Sequence, residues 1–436
     1  MKAVIIAGGK GTRLVPFIGN IPKSLVKIGD KPIIEHQILL LKEYGFKEIW
    51  VLLGYLGSQI REYLQNGGKW NVKVNFHQEK KLLGTAGALK TIERKIREDF
   101  LVFSGDVMMD FDIQRFIKYH WRKKGIATFL VHPNDHPFDS DLVEVDKEGR
   151  IISLLKRPHL PERIFRNLSI ASTYIFSPEI FKFIPKNEKS DIEKDVLPVI
   201  LTSKQKIYAY STPEYLKDIG TAKRLREVRR DYASGKIKKL NLKNKRRAIF
   251  LDRDGIINEE VDQLSQVKDL KIYNFAAKAI KKINNSDYLT VVITNQPMIA
   301  KGFLTEEDLE EIHKKLETEL GRGGAKIDAI YYCPHHPERG FQGEIPELKI
   351  KCNCRKPEIG LFLKAKEELN IDLEKSYLIG DKTSDILAGK RAGCKTILVK
   401  TGYGGKDNAF SIKPDFIAKN LLGATKIIYA QSNYQN

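Results

Sequence analysis

Cysteine is scarce in this chain, since 436 residues contain four cysteines and three of them lie between residues 333 and 354. So few cysteines exclude the disulfide framework of a small secreted domain, and their clustering favours a metal site. Long apolar runs are also absent, because none reaches the length that a bilayer span requires. Residues 1–9 lack the apolar core and cleavage region of a signal peptide. We therefore expect a cytoplasmic protein that does not span a membrane.

Acidic residues are outnumbered, with 55 Asp and Glu against 75 Lys and Arg, which gives a net charge of +20. The lysines are scattered through every segment, so we interpret most of this charge as a solvated surface and expect no nucleic-acid partner. The run 236–247 carries seven basic residues and no acid. A nucleic-acid-binding arm is the alternative for this run, but it lacks interleaved aromatic residues, which favours a tether. Because the chain is too long for one ordinary core, we predict domains at 1–235 and 247–436, joined by a basic linker at 236–246.

Apolar strands alternate with amphipathic helices in both halves of the sequence. In the first half the pattern predicts strands at 3–7, 48–53, 72–76 and 100–104, and helices at 33–44, 58–64 and 85–96. In the second half it predicts strands at 247–251, 289–294 and 327–332, and helices at 275–283 and 306–320. This alternation predicts the α/β fold class, with two doubly wound, Rossmann-like domains built on parallel sheets. Ligands of such sheets gather at the carboxyl ends of the strands.

A glycine-rich turn follows the first strand, with Gly8, Gly9 and Gly11. Glycines there allow backbone N–H groups to approach phosphate oxygens closely. No Gly-Lys-Ser/Thr ends the turn as in a Walker loop, and Leu14 stands where the dinucleotide fingerprint has its third glycine. Arg13 adds a cation, and Lys23 follows as a second one.

The stretch Gly8-Gly9-Lys10-Gly11-Thr12-Arg13-Leu14, with Pro22-Lys23 downstream, resembles the sugar-nucleotide pyrophosphorylase (nucleotidyltransferase) family. The segments 83–89, 104–106 and 217–221 fit the same family in order. The resemblance implies attack of a sugar 1-phosphate on a nucleoside triphosphate with release of pyrophosphate, helped by Arg13 and Lys23. It also implies nucleotide binding by the turn, including Thr12, and by Gly84 and Thr85, with Mg²⁺ held by Asp106 and Asp218. Each aspartate alone could be a turn or cap residue, but their occurrence with the other motifs favours the family.

Two segments depart from that family. Lys156-Arg157-Pro158 stands where Glu-Lys-Pro commonly contacts the sugar phosphate, so either Arg157 replaces the lysine or the register differs. Ser172 lies where a glycine-containing sugar loop is usual.

A second set of motifs begins with Asp252 and Asp254, which follow an apolar run and precede Gly255. Two carboxylates at this spacing can face one pocket, one as nucleophile or metal ligand and the other as proton donor. With three later motifs, Thr294-Asn295, Arg355-Lys356 and Gly380-Asp381, they resemble haloacid-dehalogenase-type phosphatases. The resemblance implies that Asp252 attacks phosphorus and Asp254 protonates the leaving alcohol. It implies phosphate binding by Thr294, Asn295, Arg355 and Lys356, and Mg²⁺ binding by Asp252, Asp254 and Asp381.

Cys333, His335, Cys352 and Cys354 provide four sulfur and nitrogen donors, as a closed structural Zn²⁺ site requires. The alternative, three free thiols that happen to cluster, is the weaker interpretation because the chain has so few cysteines.

With this loop, residues 247–435 are similar to the heptose-1,7-bisphosphate 7-phosphatases, and histidinol phosphatases share the loop. A phosphatase that produces a heptose 1-phosphate fits a transferase that consumes one. The resemblance therefore implies a bifunctional enzyme of nucleotide-activated heptose synthesis, with GTP and heptose phosphates as substrates. The alternatives are a hexose-1-phosphate nucleotidyltransferase fused to a histidinol-type phosphatase, and a binding protein that has lost the chemistry.

Overall fold

The structure, a computed structural model, describes residues 1–9, 11, 14–262 and 264–433. The chain divides into two compact units. The first contains Met1–His132, Asp141–Lys156 and Leu168–Asn241. The second contains Pro133–Ser140, Arg157–Asn167 and the chain from Leu242 onward. Thr12 and Arg13, two of the predicted nucleotide-site residues, lie outside the described residues.

The first unit is built on a nine-stranded sheet with two small two-stranded sheets beside it. Its strands are β1 (Lys2–Ala7), β2 (Lys27–Ile28), β3 (Lys31–Pro32), β4 (Glu48–Leu53), β5 (Lys73–Gln78), β6 (Phe100–Ser104), β7 (Val107–Asp110), β8 (Ala127–His132), β9 (Leu142–Val145), β10 (Ile151–Leu155), β11 (Ser169–Phe176), β12 (Ile207–Ser211) and β13 (Tyr215–Asp218). Strands β6, β1, β4 and β5 are parallel neighbours, whereas β11 runs antiparallel to β6, β8 and β9. The parallel half was predicted and the antiparallel half was not.

The helices of the first unit pack against the large sheet or against the two small ones. They are α1 (Val15–Ile18), α2 (Ile33–Glu43), α3 (Gly57–Leu64), α4 (Gly84–Lys90), α5 (Ile113–Lys123), α6 (Leu197–Leu201), α7 (Ala222–Ala233) and α8 (Lys236–Lys239). Local sequence explains their starts, because Asp112 accepts hydrogen bonds from the N–H groups of residues 114 and 115, and Thr221 accepts one from residue 224. The predicted helix 85–96 ends early, at Lys90, and a short 3-10 turn follows it. Helix α8 lies in the predicted linker, where Ile237 is buried.

The second unit has a six-stranded, fully parallel sheet in the order β16-β15-β14-β17-β18-β19. Its strands are β14 (Arg247–Leu251), β15 (Tyr288–Asn295), β16 (Ala329–Cys333), β17 (Tyr377–Gly380), β18 (Lys395–Val399) and β19 (Phe416–Ala418). Its helices are α9 (Ala276–Asn284), α10 (Pro297–Ala300), α11 (Glu306–Arg322), α12 (Gly360–Leu369), α13 (Thr383–Arg391) and α14 (Leu421–Asn433). Both units are thus α/β, and the predicted fold class is confirmed.

Two segments from the first half of the sequence, 133–140 and 157–167, belong to the second unit and pack along α11. The guanidinium of Arg166 pairs with Glu317 at 2.7 Å and with Glu310 at 2.9 Å. The N–H of Phe165 donates to the Thr318 hydroxyl at 2.9 Å, and the Phe138 and Phe165 rings lie 5.2 Å apart. These segments are integral to the second unit, which the sequence alone did not predict.

In the part of the chain that the structure describes, no helix is both long and apolar enough to cross a membrane.

Candidate active sites

In the second unit, the predicted phosphatase residues come together where three neighbouring strands end. Strand β14 pairs with β15 on one side and β17 on the other, so Asp252, Thr294 and Asp381 lie at adjacent carboxyl ends. Gly255, after the first two aspartates, has φ +75°, and a Cβ there would collide with the Asp381 carboxylate. Glycine is therefore required for the chain to turn this close to the site.

Lys356 forms the centre of this site. Its ammonium lies 3.0 Å from an Asp252 oxygen and 2.7 Å from an Asp385 oxygen, and it donates to the carbonyl of Ile293 at 2.9 Å. Asp252, Asp381 and Asp385 offer carboxylate oxygens within 4.8 Å of one another, and all three are buried. Asp385 was not predicted. The sequence signal for Asp385 is its position four residues after Asp381, in the first turn of helix α13.

The electrostatics of the three carboxylates, Asp252, Asp381 and Asp385, favour a bound cation. Burial, followed by repulsion from Asp385 and Asp252, raises the pKa of Asp381 to about 8. Burial also raises the pKa of Asp252, against the attraction of Lys356. The Oδ1 atom of Asp381 is buried and has no hydrogen-bond partner among the described residues. Three buried carboxylates around one lysine, with an acceptor left unsatisfied, fit an oxygen-loving divalent ion.

Asp254 has a different environment. Arg253 lies 2.8 Å from one of its carboxylate oxygens, while Asn258 and Gln296 donate to it at 2.8 and 3.1 Å. Burial raises the pKa of Asp254, but Arg253 and these hydrogen bonds outweigh it, so the pKa lies below its usual range. The structure does not group Asp254 with the three clustered carboxylates, so its predicted role as a metal ligand stays a prediction.

The remaining predicted phosphate-binding residues surround the lysine. Asn295 exchanges two hydrogen bonds with the backbone of Lys356, at 3.0 and 3.1 Å. The buried Thr294 hydroxyl accepts a hydrogen bond from Gln296 at 2.9 Å, and Arg355 donates to the carbonyl of His335 at 3.3 Å.

The predicted cysteine and histidine ligands form one compact group. Atoms of Cys333, His335, Cys352 and Cys354 lie within 4.8 Å of one another. The three sulfur–sulfur separations are 3.5, 3.1 and 3.2 Å, and His335 Nδ1 lies 3.2 Å from Cys354 Sγ. None of these cysteines is in a disulfide. Three sulfurs and one nitrogen at these spacings can surround a single ion.

In the first unit, Lys23 and Asp106 form an ion pair beside the glycine-rich turn. The Lys23 ammonium lies 2.8 Å from one Asp106 oxygen, and the Ser104 hydroxyl donates to the other at 2.8 Å. Burial raises the pKa of Asp106, but Lys23 and Ser104 bring it below its usual value. Gly11 has φ +62°, and a Cβ there would lie 2.8 Å from the Lys23 side chain.

Asp218 is brought to Asp106 by strand pairing. Antiparallel β7 and β13 place Asp218 opposite Val107, and the N–H of Ile219 donates to the carbonyl of Asp106 at 3.1 Å. The Asp218 carboxylate accepts two hydrogen bonds from Arg224, at 3.0 and 2.8 Å. Two aspartates so placed can bind a cation together, which stays a prediction.

Gly8 follows strand β1, and Gly84 and Thr85 begin helix α4. A Cβ on Gly8 would meet the Glu79 carboxylate at 2.9 Å, and one on Gly84 would meet the Ser190 carbonyl at 2.6 Å. Gly9 has open space around it. Thr85 donates to Asp191 through both its N–H and its hydroxyl, at 3.2 and 3.3 Å. Glu79 and Asp191 were not predicted, because these contacts join segments that are distant in sequence.

Comparisons with known proteins match the two halves of the sequence to different families. Residues 2–235 match the family model described as nucleotidyl transferase, and residues 353–424 match the one described as HAD-hydrolase-like. The C-terminal part is 42% identical over 159 residues to D-glycero-beta-D-manno-heptose-1,7-bisphosphate 7-phosphatase of Haemophilus ducreyi, covering 36% of this chain and 85% of that protein. It is 37% identical over 186 residues to D-glycero-alpha-D-manno-heptose-1,7-bisphosphate 7-phosphatase of Photorhabdus laumondii, covering 42% of this chain and 98% of that protein. The N-terminal part is 30% identical over 256 residues to UTP–glucose-1-phosphate uridylyltransferase of Synechocystis, covering 56% of this chain and 66% of that protein.

Fold, site and relatives together define an enzyme with a nucleotidyl-transfer site and a phosphatase site on one chain. The chain belongs to the nucleotidyl transferase family through its first half, and its second half belongs with the heptose-1,7-bisphosphate 7-phosphatases. The predicted recognition of a fused nucleotidyltransferase and phosphatase is therefore confirmed, as is the prediction of a bifunctional enzyme.

Proposed function

We propose that the second unit removes the C7 phosphate of D-glycero-D-manno-heptose 1,7-bisphosphate, and that the first unit then transfers GMP from GTP to the heptose 1-phosphate, releasing pyrophosphate. The observation that carries this proposal is the presence of both sites on one chain. The phosphatase relatives are named for removing the 7-phosphate, which leaves a sugar 1-phosphate. A sugar nucleotidyltransferase consumes a substrate of that kind.

In the phosphatase, Asp252 attacks phosphorus and forms an aspartyl-phosphate as the bond to the sugar oxygen breaks. Lys356, 3.0 Å away, favours the ionised form of Asp252 against the burial that raises its pKa, and it neutralises the charge of the phosphoryl group. Asp254 gives a proton to the leaving sugar oxygen and then takes one from the water that hydrolyses the intermediate. The approach of a phosphate dianion raises the pKa of Asp254 from its low value and so favours protonation before the first step.

A cluster of cations beside this site supports a substrate with two phosphates. Lys301 and Lys349 each lie 4.5 Å from the centre of the Phe341 ring. Burial, and then the positive charge of Arg355, lowers the pKa of Lys301. Lys349 is buried, and its ammonium lies 3.5 Å from the Glu344 carboxylate. A second phosphate would relieve the repulsion among these cations, and we assign this role to the anomeric phosphate of the bisphosphate.

We infer two kinds of metal ion. Mg²⁺ fits the aspartates of both units because it prefers oxygen ligands, and it would neutralise the phosphates during transfer. Zn²⁺ fits the group of Cys333, His335, Cys352 and Cys354, where a closed four-ligand site stabilises a loop. Thiolate ligands of this kind remain reduced in the cytoplasm, which supports a cytoplasmic location.

In the nucleotidyltransferase, Lys23 neutralises phosphate charge while Asp106 positions the metal. The assignment of guanine has support from Glu79, whose carboxylate lies against Gly8 and accepts the Leu83 N–H at 3.0 Å. A carboxylate accepts hydrogen bonds only, and guanine presents the adjacent donors N1–H and N2–H₂ on one edge. Charge supports an order in which dephosphorylation comes before transfer. A transfer pocket for one phosphate would desolvate a second dianion at a cost of several kcal/mol.

Product analysis tests the proposal directly. The full chain is incubated with the bisphosphate and each of GTP, ATP, CTP and UTP, and with glucose 1-phosphate and UTP because of the uridylyltransferase relative. We expect inorganic phosphate first and then pyrophosphate, with GTP preferred. Preference for ATP or UTP would contradict the assignment of guanine. Efficient transfer to the intact bisphosphate would contradict the proposed order of the two reactions. Faster release of phosphate from histidinol phosphate than from the bisphosphate would contradict the assignment of a heptose substrate.

A further inference from the structure

A polar cavity in the first unit borders the predicted metal site and has no function assigned to its far side. Its lining residues include Ser104, Ser172, Tyr174, Asp191, Glu193 and Lys194. Ser104 lies at the near side, because its hydroxyl donates to Asp106 at 2.8 Å. A substrate in the cavity would therefore have one end at the metal and the other at Glu193 and Lys194.

Glu193 is held in place by two hydroxyl groups. Its Oε1 atom accepts hydrogen bonds from Tyr174 at 2.5 Å and from Ser172 at 3.2 Å. Burial and then the Glu193 charge raise the pKa of Tyr174, so the phenol stays a donor. Ser172 has φ +47°, a left-handed backbone conformation that strains a non-glycine residue. The chain therefore retains a strained residue whose hydroxyl orients an acid in the cavity.

Lys194 is the cation among the lining residues. No carboxylate in the described part of the chain pairs with its ammonium, and its own carbonyl accepts a hydrogen bond from Lys156 at 3.2 Å. Arg157, the residue that the sequence placed at the sugar phosphate, donates instead to the carbonyl of Asp139 at 2.8 Å and does not line the cavity. The sugar phosphate thus needs a different cation, and Lys194 is in position to supply it.

We propose that Lys194 binds the anomeric phosphate of the incoming sugar 1-phosphate and that Glu193 accepts hydrogen bonds from the sugar hydroxyls. The proposal rests on the proposed function of the first unit. A phosphate dianion suits an ammonium without a carboxylate partner, and a carboxylate held by two donors on one oxygen is a rigid acceptor for hydroxyls.

The test compares Lys194→Ala and Lys194→Arg with the control Lys189→Ala, an exposed lysine of the same segment that does not line the cavity. Pyrophosphate release is measured with D-glycero-D-manno-heptose 1-phosphate and GTP varied in turn. We expect Lys194→Ala to raise KM for the sugar phosphate about 10- to 100-fold, with KM for GTP changed less than about twofold. Lys194→Arg should recover part of the loss, while Lys189→Ala and the phosphatase activity should match the wild type.

The substitution Glu193→Gln separately tests the role of Glu193 as the acceptor for the sugar hydroxyls. Its amide oxygen still accepts from Tyr174, so the melting temperature should stay near that of the wild type while KM for the sugar phosphate rises. A normal KM for the sugar phosphate in Lys194→Ala, with wild-type transfer intact, overturns the role of Lys194 and leaves the proposed function standing. A normal KM in Glu193→Gln overturns the role of Glu193. If wild-type protein transfers to no sugar 1-phosphate, the proposed function and this inference both fail.

Discussion

Asp385→Asn isolates the contribution of one carboxylate to the phosphatase metal site. Asp252, Asp381 and Asp385 bring three buried carboxyl groups together beside Lys356, and a divalent ion would favour their ionised forms against the burial that raises the pKa of Asp252 and Asp381. The substitution removes one carboxylate charge from this group. A pair of unit charges 4 Å apart is worth about 4 kcal/mol at an effective dielectric constant of about 20. With solvent screening, we expect a loss of about 3 kcal/mol, or about 100-fold in the Mg²⁺ concentration for half-maximal activity.

The substitution weakens Mg²⁺ binding, but it should not lower the stability of the protein without Mg²⁺. Repulsion from Asp385 contributes to the raised pKa of Asp381, so removing that charge relieves the site. Lys356 keeps Asp252 as its partner at 3.0 Å, and an amide oxygen can still accept the hydrogen bond that Asp385 receives from the N–H of Lys382. The metal-free melting temperature should therefore not fall, while the rise in melting temperature caused by Mg²⁺ should shrink.

The assay measures phosphate release against Mg²⁺ concentration, together with thermal melts in the presence and absence of Mg²⁺. Glu358→Gln is the matched control, because Glu358 is an exposed acid that pairs with Arg391. Wild-type Mg²⁺ dependence in Asp385→Asn would refute the assignment of Asp385 to the metal site. A large fall in metal-free stability would refute the charge argument.

Three further predictions concern the other parts of the two sites. Cys352→Ser should lower both the zinc content of the purified protein, measured by elemental analysis, and its melting temperature; folded, active protein without zinc would contradict the ligand assignment. Lys23→Ala should depress nucleotidyl transfer at least about 100-fold, because it removes the partner of Asp106, and should leave phosphate release unchanged. Asp252→Asn should abolish phosphate release while transfer to supplied heptose 1-phosphate continues, and loss of both activities would show that the sites are not independent.

Motifs that are compact in sequence could be predicted well. Asp252 follows a buried strand, and the ligands Cys333, His335, Cys352 and Cys354 come from two short segments, so spacing alone indicates their proximity. In the first half, alternating strands and helices predicted the parallel strands around β1.

Residues that join distant segments could not be predicted in the same way. Asp385 becomes part of the phosphatase site only because α13 begins against Lys356. Glu193 becomes part of a cavity only because antiparallel β11 brings Ser172 and Tyr174 to it, and that strand pairing has no local sequence signal. The contacts of Arg166 with α11 link residues about 150 positions apart.

Those contacts bear on how the two halves of the gene can be separated or exchanged. A phosphatase fragment that starts at Leu242 would lack residues 133–140 and 157–167, leaving the buried Glu317 without its Arg166 partner. Loss of one member of a buried ion pair typically costs about 3–5 kcal/mol, a large share of the stability of an ordinary domain. Recombination at the linker would therefore yield a weakened phosphatase half. Two segments of the phosphatase unit thus come from the first half of the sequence, and the linker is a poor place to cut the chain.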